Sequence, residues 1–114
     1  MRYLASGFWL FAGTMHFVIP RQYEAIVPSA LGKWRKELVV ASGAAEIAGG
    51  AMILAPRARR AGRWWLLATL AAVYPANIEM ALRPERFPKI PRAALWARLP
   101  VQFAFAWLTW RGTD

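Results

Sequence analysis

The sequence predicts an all-α fold: an integral membrane, up-down four-helix bundle with an interfacial segment after the first helix. Three observations carry that expectation. Of the 114 residues, 58% are hydrophobic and 7 are tryptophan, more than the interior of a soluble domain this short can hold. These residues are gathered into four blocks of about 17–20, which at about 1.5 Å per residue match a hydrocarbon core about 30 Å thick. The basic residues fall between the blocks: Arg21, Lys33, Arg35 and Lys36; Arg57, Arg59, Arg60 and Arg63; Arg83, Arg86, Lys89 and Arg92. Anionic headgroups and topology signals call for that placement. The net charge of +9 is therefore assigned to lipid, with no nucleic-acid partner expected. Four helices use up the chain, so residues 1–114 form a single transmembrane domain.

The first helix is expected over residues 3–19, closed by Pro20, which cannot continue the hydrogen-bond ladder. This run reads as a retained helix rather than a cleaved leader. Residues 20–35 mix Pro20, Pro28 and Gly32 with Tyr23, Ile26, Val27, Leu31 and Trp34, too apolar for a free loop and too polar to span, as a segment on a membrane surface would be. The second helix covers residues 36–55 and ends at Pro56. A short link over residues 56–62 makes the second and third helices antiparallel neighbours. The third helix covers residues 63–82 with Pro75 inside it, and the fourth covers residues 92–110 with Pro100 in its early turns. Interior prolines are tolerated in membrane helices where neighbours satisfy the freed carbonyl. Trp34, Trp64, Trp65, Trp96 and Trp110 lie near the expected ends, as interfacial anchors do. The arginines from Arg57 to Arg63 read as a solvated loop, and Glu79 as an ion pair with Arg83 at i+4. The Arg57 cluster places both termini inside; the other two connections together carry more Lys and Arg and argue the reverse.

Each apolar block carries a polar group. Glu46 lies near the middle of the second, where an ionised carboxylate costs several kcal/mol unless it is paired, hydrogen-bonded or protonated. His16 lies about 5 Å from the end of its helix, Asn77 about 8 Å from its own, and Arg98, Gln102 and Glu46 about 9, 15 and 15 Å from the starts of theirs. In an up-down bundle those ends share one side, so His16, Glu46, Asn77, Arg98 and Gln102 are expected to line one cavity. Small residues mark the inward faces: Ser42, Gly49 and Gly50 flank Glu46, and Ala12 and Gly13 precede His16. Tyr23 and Tyr74 are placed at the rim, and a carbonyl freed by Pro75 is expected nearby.

Each residue also has a plainer role. Glu46 could be an interhelical hydrogen-bonder or be neutralised by Arg98. Asn77 and Gln102 could be connectors, and Arg98 could snorkel to headgroups. His16 and Glu46 become candidate acid and base only if they meet, since such a pair in a dry pocket can exchange a proton. There is no cysteine and one histidine. Disulfides, thiol chemistry, thiolate-held metals and a bis-histidine haem held by this chain alone are thereby excluded. No metal site and no covalently bound cofactor are expected.

The chain resembles the DoxX-like family of small four-helix membrane proteins. The resemblance rests on Gly13-Thr14-Met15-His16-Phe17-Val18-Ile19-Pro20 with Tyr23 and Val27-Pro28, on Ser42-Gly43 with Glu46, Gly49-Gly50 and Pro56-Arg57, on Tyr74-Pro75-Ala76-Asn77 with Met80-Ala81, and on Arg98-Leu99-Pro100-Val101-Gln102. Glu79 departs from it, standing where an uncharged residue is more readily expected. The resemblance implies a multi-pass protein of a prokaryotic plasma membrane linked to redox systems, including quinone-reducing ones. It also implies an alternative, since an animal relative resembles an assembly chaperone for ligand-gated channels.

Three functions are therefore in view. The first is a membrane subunit that binds a quinone-like or lipid-like molecule and supports a redox partner, with membrane lipids, a redox protein or a second copy as partners. The second is a non-enzymatic accessory that docks a partner's transmembrane helix. The third is an enzyme acting on a lipid-soluble substrate with His16 and Glu46 as acid and base, which requires them within about 3–5 Å or bridged by water.

Overall fold

The computed structural model describes residues 1–114, the side chain of Ser29 excepted. It is all-helical: α1 (Arg2–Val18), α2 (Pro20–Ala25), a 3-10 segment (Ser29–Trp34), α3 (Arg35–Leu54), α4 (Arg59–Leu82), a 3-10 turn (Pro84–Arg86) and α5 (Arg92–Gly112). The four long helices are the four expected from the apolar blocks.

Proline sets most of the boundaries. Ile19 precedes Pro20 and Ala55 precedes Pro56, and both leave the helical region, at φ/ψ of −128°/59° and −94°/113°. The proline ring disfavours helical geometry in the residue before it. Pro20 not only closes α1 but occupies the first turn of α2, where its missing N–H costs nothing. The surface segment expected over residues 20–35 is thus two short helical pieces. Val27 between them is buried, and Ile26 packs on a cluster of Met80, Phe87 and Leu95.

The expected start of the third helix needs correction. Its counterpart α4 begins at Arg59, four residues before residue 63, which shortens the link to residues 55–58. Nothing after Pro56 breaks a helix, and Gly62 lies within α4 because the absent Cβ lets it rest on Met52. Pro75 and Pro100 sit inside α4 and α5, which continue past them.

The long helices form a closed ring, α1 on α3, α3 on α4, α4 on α5 and α5 on α1, each antiparallel to the next. The α1–α3 seam is the closest. A Cβ on Gly13 would come within 2.7 Å of the Gly43 carbonyl, and one on Gly43 within 2.7 Å of the His16 Cβ; Ser6 donates to the Gly50 carbonyl at 2.8 Å. At the end bearing the α3–α4 link, Ala5, Trp9, Ile53, Leu66 and Leu70 form the main core, and the Trp9 indole N–H donates to Thr109 Oγ1 at 2.9 Å. The Met80, Phe87 and Leu95 cluster closes the other end. The polar residues lie between these two apolar plugs.

One arginine expected in a solvated loop is buried. Arg63 donates to Thr113 Oγ1 at 2.8 Å and to Asp114 at 3.0 Å, and stacks on Trp110 with its guanidinium carbon 3.9 Å from the ring centroid. Because α4 starts early, Arg63 falls on its inner face one turn in, opposite the end of α5. Arg59 donates to the Ile53 carbonyl at 2.7 Å, satisfying the last turn of α3.

Candidate functional site

His16 and Glu46 meet. Each stands three residues after a glycine of the α1–α3 crossing, Gly13 and Gly43, so each projects from the same face as that contact. The close approach of the two backbones brings His16 Nε2 to 2.9 Å from Glu46 Oε2, with both side chains buried. His16 Nδ1 lies 2.8 Å from the Ala12 carbonyl. A carbonyl only accepts, so Nδ1 carries a hydrogen and the tautomer is fixed. One further proton then lies between Nε2 and the carboxyl oxygen, as imidazolium with carboxylate or as imidazole with carboxylic acid; the pair is neutral in either form. Arg98, one of the partners expected for Glu46, is engaged elsewhere.

Tyr23 covers this pair. Its ring stacks on the His16 imidazole at 3.9 Å between centroids and 21° between planes. Burial holds the phenol above its ordinary pKa, the Glu46 charge pushes it further up, and Arg98 opposes both. The hydroxyl therefore feels both walls of the site. The turn at Pro20 is what swings Tyr23 back over α1.

A second polar cluster faces the first from α4 and α5. Arg98 Nε donates to Asn77 Oδ1 at 3.2 Å, the Asn77 amide donates to Gln102 Oε1, and the Gln102 amide donates to the Leu70 carbonyl at 2.6 Å. The backbone acceptor that Gln102 finds is the Leu70 carbonyl, one residue before the Ala71 carbonyl that Pro75 frees. Asn77 and Gln102 are buried while Arg98 stays exposed, so the chain runs from the core outward to a guanidinium.

The two clusters line one cavity of about 550 Å³, a size at which drug-sized ligands are held. All five residues expected to converge, His16, Glu46, Asn77, Arg98 and Gln102, border it, as does Tyr23. Most of the remaining lining is aliphatic or aromatic, including Phe8, Trp9, Leu70 and Phe105. Tyr74 does not border it: its ring packs edge-on against Phe103, 6.1 Å away. Tyr74 and Asn77 sit three residues apart, yet only Asn77 borders the cavity.

Sequence reasoning missed several participants. Thr69 borders the cavity, and its small hydroxyl gave no signal distinguishing it from other helix-face residues; Ser42, expected on the inward face beside Glu46, borders it too. Glu79 has a tighter partner than Arg83, which lies 4.0 Å away: Arg86 Nη1 donates to it at 2.5 Å. The other arm of Arg86 reaches the Ala25 carbonyl at 3.1 Å and that of Val27 at 3.4 Å, fastening the segment that carries Tyr23. The repeated spacing Gly13 to His16 and Gly43 to Glu46 was the signal that could have paired those two residues.

No curated protein and no solved structure matches the chain. Residues 5–113 match a family described as a domain of unknown function, DUF8561, and since the match spans nearly the whole chain, the protein belongs to that family.

Proposed function

We propose that this is an integral membrane protein whose bundle binds a quinone-like or lipid-like small molecule and supports a membrane redox system. The observation that carries the binding reading is the cavity of about 550 Å³ with two polar clusters on facing, otherwise apolar walls. Such a shape suits a molecule that is polar at one or two points and oily elsewhere.

Membrane insertion is supported by what the helices leave outside. Two segments, Ala30–Leu54 and Arg59–Leu82, are long and apolar enough to span, and only 33% and 28% of their apolar windows are buried. The core helix of a soluble protein would be mostly covered. The bundle also presents Tyr3, Leu4, Phe11, Leu82 and Phe103 outward, each more than 60% exposed, a surface matched to acyl chains rather than water. Its longest dimension is 44 Å, against about 40–45 Å for a bilayer with its headgroups. In α5, Arg98 and Gln102 lower the hydropathy of a helix that turns these same residues toward the cavity.

The redox association rests on the resemblance to DoxX-like proteins and is an analogy of family, not of site. With no cysteine and one histidine, the chain would take electrons from a bound quinone or from a partner. The test is a photoreactive benzoquinone in native membranes. Saturable labelling of the wild type that falls in Glu46→Gln supports the reading; equal labelling of both counts against it.

The 2.9 Å His16–Glu46 contact favours a second reading, an enzyme on a lipid-soluble substrate. A fixed tautomer with a shared proton facing an apolar cavity is a competent acid–base pair. A bell-shaped pH dependence of turnover, abolished in His16→Gln, would distinguish this from binding alone.

A further inference from the structure

We propose that the ligand of this site is a single-tailed amphiphile, whose hydrogen-bond-accepting head meets Arg98 and whose hydrocarbon tail leaves the bundle between α3 and α4. The proposal rests on the binding reading above and names the class of molecule bound.

The charges of the cavity select the head. Among the described residues that border it, Glu46 is the only acid, and it is committed to His16 in a pair of zero net charge. Arg98 spends its Nε on a neutral amide and remains exposed. The site therefore carries an excess positive charge and a guanidinium with donors to spare. An oxygen acceptor, the carbonyl of a quinone or the carboxylate of a fatty acid, answers both. A cationic or donor-only head does not.

The walls select the tail and its path. α3 and α4 are held together near their short link: Gly49 lies against Leu66, Gly62 against Met52, and the Trp65 indole donates to the Ala45 carbonyl at 2.8 Å. Farther from the link, Leu38, Ala41 and Ala45 on α3, and Thr69, Ala72 and Ala76 on α4, border the cavity. Each set follows the i, i+3, i+7 spacing of one helix stripe, and antiparallel pairing puts the two stripes level. Yet Leu38, Ala41 and Ala72 are also exposed on the outside of the bundle. Residues that face both the cavity and the exterior mark a gap, and four of the six are alanine, whose side chains leave it open. The gap borders the same cavity as the two polar clusters, so a head seated there has an apolar way out between α3 and α4, at the level of the acyl chains. A cavity of about 550 Å³ is of the size that holds one drug-sized molecule, which suits one tail rather than two.

The test uses two tailed probes, a decyl-benzoquinone and a fatty acid, each with a diazirine at the far end of the tail, and a tailless azido-benzoquinone. All are applied to the full chain in liposomes, and adducts are mapped by mass spectrometry. The expected result is that one or both tailed probes label the α3 and α4 stripes. Which of them does so identifies the source of the head. Ala72→Trp, which fills the gap from an exposed position, should cut that labelling about tenfold while the tailless probe labels as before. Ala41→Phe is the second variant should Ala72→Trp not fold, and is expected to act alike. Tail adducts on α1 or α5, with the two variants without effect, overturn the proposal and leave the cavity reading standing. Absence of saturable labelling by the tailless probe as well overturns both.

Discussion

His16 and Glu46 stand 2.9 Å apart across the seam of α1 and α3, and the other nitrogen of the imidazole is committed to the backbone of its own helix. A single proton lies between them. Removing either partner leaves the other buried and uncompensated.

The two side chains should therefore be strongly coupled. His16→Leu and Glu46→Leu alone should each destabilise the bundle by about 3–5 kcal/mol, as breaking a buried pair does, whereas the double variant should lose much less. Denaturant titration of the four proteins in detergent gives the coupling energy directly. Simple addition of the two single losses would show that the pair does not act as a unit.

Tyr23 should titrate late. Burial and the Glu46 charge hold its phenol above the ordinary value of 10.0, against the opposing pull of Arg98. A group whose folded-state pKa is raised gives stability that is complete below the unfolded value and lost as pH climbs through the folded one. Stability should thus fall with pH from about 10 upward, and Tyr23→Phe should flatten that decline. In tyrosinate difference spectra against Tyr23→Phe, Glu46→Gln should lower the transition and Arg98→Gln should raise it. Movement in the reverse directions would mean that the two walls do not converge on this hydroxyl.

Gly43 tests whether backbone approach sets the site. A Cβ there would lie 2.7 Å from the His16 Cβ, 3.0 Å from a ring carbon of Phe17 and 3.1 Å from the Gly13 carbonyl. Gly43→Ala should cost about 1–3 kcal/mol, the range of core overpacking, and should reduce photolabelling by benzoquinone although no polar group has been altered. Gly7→Ala, where no atom lies within 4 Å of the added carbon, is the matched control and should be neutral in both measurements.

Arg86 tests the fastening of the segment above the cavity. It joins Glu79 to the carbonyls of Ala25 and Val27, so Arg86→Ala should release the backbone at those two carbonyls. Hydrogen exchange should quicken over residues 23–28 and stay unchanged in α3. The stacking of Tyr23 on His16 should loosen with it, bringing the tyrosinate transition down toward its ordinary position as burial is lost.

Much of this was legible from residue order. Prolines at 20, 56 and 91 and the apolar blocks give four long helices with boundaries mostly within one or two residues. Depth along those helices groups His16, Glu46, Asn77, Arg98 and Gln102 on one level, and the cavity gathers them. The failures share a cause. Charge alone puts Arg63 in a loop, but α4 begins four residues earlier and Arg63 sits on its inner face against Thr113 and Asp114. Nearness in sequence to Asn77 puts Tyr74 at the rim, whereas its ring packs against Phe103.

Helix number, order and the level of each polar side chain are one-dimensional quantities, fixed by a rise of about 1.5 Å per residue and by where proline interrupts the ladder. Which polar group touches which is not of that kind. It depends on how far each rod is rotated and how closely two backbones cross, and the absence of a Cβ at Gly13 and Gly43 decides this at the α1–α3 seam. The packing thereby gives Glu46 to His16, leaves Arg98 to Asn77, and opens between those two pairs a space that no spacing rule contains.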